Sequence, residues 1–350
     1  MKAPFKFLEN ANVRLDKNKL AMKHRATQIT VSTLRIVFLI GMSFVMAYPV
    51  LFILSQAFKG AQDVHDSTVV WLPKHYSFRA MEIAMHILDF KDSIMNTVIV
   101  TLPSVLLQLV SSLLAGYGFA RFKFRGKSIL FAILIFTIIV PVQTYMIPLY
   151  AGFRNFDCFG LGTLLGLFTG GETLYINLFG AELVIAPTTN LLNSYIPFYL
   201  MAGLGAGIRS GLYIFMLRQF FVGMPRELDE AASIDGCGPF AVFIKVMLPN
   251  AIPMMVTIMV FSLVWYWNDY YLSGMFFEQT TPLSLRLAME SSSAAYLANN
   301  VPEEMKSDYR ILKQGILACG CLLTIAPPLI LYIFAQRYFT EGLERSGIVG

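Results

Sequence analysis

Six stretches of the chain carry no charged side chain at all: residues 36–58, 93–120, 128–153, 183–208, 246–268 and 314–336. Each is longer than the roughly 20 apolar residues a helix needs to cross about 30 Å of hydrocarbon. Such runs cannot be accommodated in a water-soluble fold of ordinary composition. The chain has 350 residues, of which 56% are hydrophobic and 14% charged, against about 25% charged in a typical soluble domain. The expected fold class is therefore an all-α polytopic membrane protein with six transmembrane helices. Pro49, Pro103, Pro141, Pro148, Pro327 and Pro328 lie in these runs. A spanning helix tolerates proline where neighbours re-satisfy the freed backbone groups, so bent helices are expected.

Orientation follows from Lys and Arg, which favour the cytoplasmic side. With the N-terminus inside, segments 1–35, 121–127, 218–245 and 337–350 are cytoplasmic and hold 17 Lys/Arg in 84 residues. The outer segments 59–92, 154–190 and 269–313 hold 9 in 116. Both termini are then cytoplasmic. The run "RFKFRGK" at 121–127, with four basic residues and no acid, anchors this orientation. The net charge of +5 sits mostly in residues 1–35, with Lys17, Lys19, Lys23 and Arg25 shortly before the first run. Such a segment suits anionic headgroups, and no aromatic-basic interleaving points to nucleic acid. The first run starts too late and is too long for a cleavable signal.

The expected organisation is a basic cytoplasmic segment 1–35, a transmembrane domain 36–336 and a cytoplasmic tail 337–350. The spans fall at about 36–58, 96–120, 128–150, 191–217, 248–270 and 314–336. A long external loop at 154–190 carries Glu172. A seventh crossing there would put 218–245 outside, so this segment is expected to be a partly ordered outer loop.

Reactive groups are scarce. All four His (24, 65, 75, 86) lie outside the spans, and no HExxH or metal-ligand cluster occurs. Cys158, Cys237, Cys319 and Cys321 have no zinc or redox spacing and read as small buried hydrophobes. "FRGKS" at 124–128 contains the GKS of a phosphate loop, but Arg121 stands where the cradle needs its first glycine. No metal, cofactor or catalytic activity is expected, and any ATP must be hydrolysed by another chain. Arg209 interrupts the fourth run. It either faces a polar cavity within the membrane or snorkels to the outer interface. Trp267, Asn268 and Asp269, in "WYWNDYY", read first as an interfacial aromatic belt and second as pathway residues.

Seven charged residues fall within 218–245. Pro225 suits the start of a helix, and Glu227, Asp229 and Glu230 complement its positive end. Leu228, Ala231 and Ala232 share one face, and Asp235-Gly236 supplies a left-handed stop. Pro239 can open a second short helix ending near Pro249. The segment 223–249 thus predicts a helix–turn–helix elbow on the cytoplasmic face, either an ordinary connector or a docking element.

The pattern Glu230-Ala231-Ala232, three residues, Gly236, nine residues, Val246-x-Leu248-Pro249 resembles the EAA signature of ABC-importer permeases, with Val246 where isoleucine is commonest. "VPVQTYMIPLY" at 140–150, "WND" at 267–269 and "APPLILYIFAQRYFTEGL" at 326–343 are similar to carbohydrate-importer permeases, nearest the smaller subunit of the maltose and glycerol-phosphate type. The resemblance covers most of residues 30–350, and the extended loop 154–190 departs from it. It implies the ABC type I importer permease fold in a bacterial-type inner membrane. It also implies a second, different permease subunit, two ATPase subunits, an extracytoplasmic solute-binding protein and a sugar or oligosaccharide substrate. Pro225, Glu227, Glu230, Ala231, Ala232, Asp235, Gly236, Leu248 and Pro249 would couple to the ATPase, with Glu230 paired to a basic residue there. Arg209, Trp267, Asn268 and Asp269 would line the path. The competing reading is an ion-driven secondary transporter with a chance EAA-like loop. Against it, no internal symmetry of the kind such carriers show is seen.

Overall fold

In the computed structural model of the chain, residues 3–157, 174–178, 181–185, 189–292 and 301–347 are described. The chain is predominantly helical. Helix α1 (Ala3–Ala57) leads through the short α2 (Ala61–Val64) and α3 (Arg79–Ile87) into α4 (Phe90–Arg121). Helix α5 (Lys127–Ile139), a 3-10 turn (Val142–Thr144) and α6 (Met146–Arg154) follow. Next come α7 (Ile196–Gly203), α8 (Ser210–Gly223) and α9 (Glu227–Ile234). Helix α10 (Pro239–Val242), a π-helical turn (Phe243–Met247) and α11 (Leu248–Asn250) lead to α12 (Ile252–Trp267). The chain ends with α13 (Tyr271–Phe276), α14 (Leu283–Ser292) and α15 (Lys306–Gly347). Segments Thr27–Ala57, Phe90–Arg121 and Glu303–Gln336 are long and apolar enough to cross a membrane. The helices Pro239–Asn250 and Ile252–Trp267, bent by 76° at their junction, pass the same test only when taken together.

The third and fourth uncharged runs are broken rather than continuous. Val140 is extended before Pro141, as a residue preceding proline prefers, and this ends α5. The fourth run breaks between α7 and α8, where Gly205 (φ 72°) and Arg209 (φ 61°) are left-handed. The break is fastened from two other helices. The Tyr266 hydroxyl donates to Gln108 Oε1 at 2.9 Å and accepts from the Ile208 N–H at 3.3 Å. Gln108 Nε2 in turn donates to Ser210 Oγ at 2.6 Å. A Cβ on Gly207 would collide with both Gln108 Oε1 and the Tyr266 hydroxyl, so this close approach needs glycine.

Helix α4 is the hub, packing on α7, α8 and α12. Its inner face is a line of small or polar residues: Ser93, Thr97, Thr101, Ser104, Gln108 and Ser112 are all buried. Their spacing of three or four residues puts them on one helical face. In lipid, helices associate by close packing of such residues rather than by apolar burial. The line ends at Gly116, where a Cβ would sit 2.6 Å from Leu217 Cβ of α8. A cluster of Leu109, Leu113 and Tyr117 with Tyr213, Leu217 and Phe221 lies toward one end of the bundle. Val100, Phe153, Phe198, Met201, Tyr266 and Phe276 form another toward the opposite end.

Within 154–190 the structure contains a feature the composition concealed. Strands β1 (Leu174–Leu178) and β2 (Ala181–Ile185) pair antiparallel, Leu174 opposite Ile185. The base of the segment is closed by reciprocal backbone bonds between Phe156 and Thr189, at 3.0 and 2.9 Å. Cys158 and Glu172 lie outside the described residues. Cys319 is buried, its thiol donating to the Ala57 carbonyl at 3.2 Å, and Cys237 and Cys321 are half-buried and free.

Helix α14 carries a buried carboxyl. Both oxygens of Glu290 lack a hydrogen-bond partner among the described residues. Burial pushes its pKa up to about 7, although Arg286 and Lys313 act in the opposite direction. Tyr309 also faces it. A carboxyl whose pKa is raised on folding stabilises the native state in its protonated form, so the linkage sign is negative with rising pH. The contribution of Glu290 to stability is expected to be largest below about pH 4.5, to fall as pH rises to about 7, and to level off above. Glu290→Gln should flatten this dependence and raise the melting temperature at pH 8, as thermal unfolding of the purified protein in detergent would show. An unchanged pH profile in the variant would exclude Glu290 as its source.

Candidate functional site

The segment after α8 forms an elbow. Met224 is extended before the exposed Pro225, which stands two residues ahead of α9 rather than in its first turn. Glu227, Asp229 and Glu230 occupy the first turn of α9, where carboxylates complement the helix dipole. The helix closes with paired bonds: Cys237 N–H to Ala232 O at 3.0 Å and Gly236 N–H to Ser233 O at 3.1 Å. This is the Schellman arrangement, which requires a left-handed residue. Gly236 supplies it with φ 82°. The second arm runs from Pro239 to Asn250, and the bend into α12 falls at Ala251. Leu248 and Pro249 therefore end this arm and lie before α12.

One side of the elbow is fixed to the bundle. Ala232, Val242, Phe243 and Met247 are buried in the cluster with α4, α8 and α12. The Tyr117 ring lies 4.8 Å from that of Phe243. The π-helical turn is at this contact; such turns widen a helix locally and recur at functional sites. The other side is open. Glu227, Glu230, Ala231, Asp235, Gly236 and Pro249 are exposed. Leu228, Ile234 (85% exposed), Phe240 (70%) and Ile244 leave apolar surface beside them. The face that carries Leu228, Ala231 and Ala232 in sequence is thus divided: Ala232 turns inward, and the other two outward.

An ion pair that the sequence reading missed ties the elbow to the hub. Arg121 Nε at the end of α4 lies 3.0 Å from Asp229 Oδ2 in α9, and the Arg121 side chain is only 9% exposed. Its Nη2 donates to the Met224 carbonyl at 3.1 Å. Arg121 is in the basic run that fixed the orientation, so its charge was noted there for another reason.

The four path candidates separate into two kinds. Arg209 is exposed and left-handed at the break before α8, with its guanidinium 4.4 Å from the centre of the Trp265 ring. Asn268 is exposed, its Nδ2 donating to Val264 O at 2.9 Å. Trp267 is buried, with Nε1–H donating to the Thr324 carbonyl of α15 at 2.9 Å. The Asp269 carboxylate caps α13, accepting from the Leu272 and Ser273 N–H groups at 3.3 and 2.8 Å and from the Ser273 hydroxyl at 2.9 Å. Trp267 therefore ties α12 to α15, and Asp269 fixes the start of α13. Among the described residues no group of His, Cys, Asp and Glu could hold a metal ion.

Broken and bent apolar helices packed on the small-residue face of α4, with an exposed two-helix elbow at one end, define a helical membrane protein. Residues 108–345 match the family described as binding-protein-dependent transport system inner membrane component, and the chain belongs to that family. It is 24% identical over 318 residues to the probable ABC transporter permease protein YurM of Bacillus subtilis, covering 90% of this chain and 87% of that one. It is 27% identical over 255 residues to the arabinooligosaccharides transport system permease protein AraQ of Halalkalibacterium halodurans, covering 73% of each. The fold matches a chain of a bacterial ABC transporter involved in import of the acidic polysaccharide alginate. The TM-score is 0.64 at 21% identity, covering 88% of this chain and 96% of the other. The fold class expected from the sequence, a helical membrane protein of the ABC-importer permease type, is thereby shown.

Proposed function

We propose that the chain is one of two permease subunits of an ATP-binding-cassette importer and forms half of a translocation path for a sugar or oligosaccharide. An extracytoplasmic solute-binding protein delivers the substrate. Two ATPase subunits on the cytoplasmic side supply the energy, and the second permease is a different chain. In this reading six segments cross a bacterial-type plasma membrane, and both termini are cytoplasmic. The spans lie near 36–58, 96–120, 128–150, 191–217, 248–270 and 314–336, the third and fourth crossing as broken helices.

The observation that carries the reading is the elbow, fixed on one side to α4, α8 and α12 and open on the other. A groove of an ATPase would receive its open side: Glu230 as the charged contact, Ala231 and Gly236 for close approach, and Leu228 and Ile234 as apolar anchors. The buried side would pass the movement to the bundle as a rigid body, because packed interiors transmit displacement rather than absorb it. Leu248 and Pro249 would join the arm to the bend at Ala251. Arg209 and Asn268 would face the path, and Trp267 and Asp269 would hold its outer end.

Ile234 provides a direct test because it is 85% exposed on the open side. In a cysteine-free background, Ile234→Cys is expected to react with a membrane-impermeant maleimide in inside-out vesicles but not in right-side-out ones. Co-expression of the ATPase should protect it. Labelling from the outer face, or labelling unaffected by the ATPase, would contradict the docking role.

A further inference from the structure

Two helix breaks meet on one exposed surface. The first, around Pro141, is followed by exposed Gln143, Thr144 and Tyr145. The second ends at Arg209. They are brought together by Gly211, where a Cβ would lie 2.6 Å from Thr137 Oγ1 and 3.1 Å from Ile138 of α5. Tyr145 follows this first break directly, as Arg209 ends the second. From the third side Trp265 of α12 contributes a half-exposed ring (45%) beneath the guanidinium. Tyr145 is similarly open (44%).

Depth and charge make this surface unusual. The part of α8 within the proposed span runs from Ser210 to Leu217, a rise of about 12 Å from the cytoplasmic boundary. Arg209 therefore stands well inside the hydrocarbon thickness in the proposed orientation. A charge there is costly and is retained where it faces a polar cavity or an opposite charge. No carboxylate pairs with Arg209 among the described residues. Irregular backbone at membrane depth likewise persists only where it is buried or lines a polar space. The guanidinium lies over the Trp265 ring and has no ion-pair partner among the described residues, so its N–H groups can take a carboxylate, which an arginine fork binds with two parallel bonds. Exposed aromatic rings beside it offer flat apolar faces to the C–H side of a sugar ring.

We propose that Arg209, Trp265 and Tyr145 form a recognition site for an acidic saccharide within the membrane path. The inference rests on the importer reading and adds the charge class of the substrate and the residues that detect it. Arg209 takes the carboxylate, and Trp265 and Tyr145 flank the ring. A neutral sugar would leave the guanidinium without a counter-charge and be held less tightly.

The test uses the assembled importer, purified with its second permease and ATPases and without the binding protein. Binding of tri-galacturonate and of neutral galactotriose is measured by calorimetry. The wild-type complex should prefer the acidic probe. Arg209→Gln should weaken that binding by roughly tenfold or more, the scale of a charged hydrogen bond, and should leave the neutral probe unchanged. Trp265→Leu should weaken both probes. Both side chains are exposed, and co-elution of each variant with its second permease and ATPases in size-exclusion chromatography serves as the check that the complex is intact. Equal binding of the two probes, binding of neither, or an Arg209→Gln variant with undiminished preference would overturn the proposal. ATP-dependent uptake of oligosaccharides by the same wild-type complex in proteoliposomes, with the binding protein now added, would show that the importer reading survives such a result, and its absence would show that it does not.

Discussion

Gly236→Val is expected to abolish ATP-driven uptake while leaving the chain folded and inserted. The reasons lie in the geometry of one residue. Gly236 has φ 82°, and a Cβ built on it meets nothing within 4 Å. Within this chain the cost is therefore backbone strain, about 1–2 kcal/mol for an L-residue in the left-handed region. That is small beside the roughly 5–15 kcal/mol by which proteins are stable. A large loss of transport must then arise outside the chain. A β-branched residue disfavours the left-handed conformation that ends α9 and directs the chain toward Pro239. It also adds bulk to the exposed turn an ATPase would grip. Gly236→Asn separates these effects, because asparagine tolerates the left-handed region and should keep the turn while retaining bulk, giving an intermediate uptake. Uptake in vesicles and co-purification of the ATPase are the two readouts. Full uptake with normal ATPase association for Gly236→Val would sink the coupling role.

The second large effect concerns the tie between the elbow and the hub. Arg121→Glu is expected to lower uptake by roughly tenfold, since it replaces attraction by repulsion in a partly buried pair whose side chains are 9% and 25% exposed. The substituted carboxylate would face Asp229 across the 3.0 Å now bridged by the ion pair. It would also lose the bond to the Met224 carbonyl. The elbow would then be held by its apolar contacts alone, so ATP hydrolysis should continue with less transport per ATP. The double variant Arg121→Glu/Asp229→Arg restores opposite charges and should recover part of the coupling. Measuring transport and hydrolysis together distinguishes this from simple misfolding, which would lower both. Wild-type transport per ATP in the single variant would show that movement reaches the bundle without this pair.

Much of the elbow was legible because its signals are local. Carboxylates at a helix start, a glycine at its stop and a proline opening the next helix each act within a few residues. The ion pair was not legible, because Arg121 and Asp229 are far apart in sequence and only the fold places the end of α4 beside α9. The six apolar runs gave the class of fold, but counting uncharged residues cannot detect a change of backbone direction. Pro141 was noted as a possible bend, yet the break at 204–209 depends on left-handed Gly205 and Arg209 and on Tyr266 and Gln108 from other helices. The three- and four-residue spacing of small polar residues in α4 was present in the sequence and could have identified its packing face. Trp267 and Asp269 looked like path residues because they are polar or aromatic at the end of a span. The bond of Trp267 to Thr324 is a tertiary fact, whereas the Asp269 cap on Ser273 is local and was open to reading from its four-residue spacing.

The central claim is that this chain transports only when driven through its elbow by an ATPase on a separate subunit. Its most direct test is uptake of labelled oligosaccharides into proteoliposomes, with the binding protein on the outer face and no ion gradient. With the second permease and the ATPases present, uptake should require ATP inside and disappear with Gly236→Val. Uptake by this chain alone when an ion gradient is imposed, indifferent to ATP and abolished by an ionophore, would contradict the account.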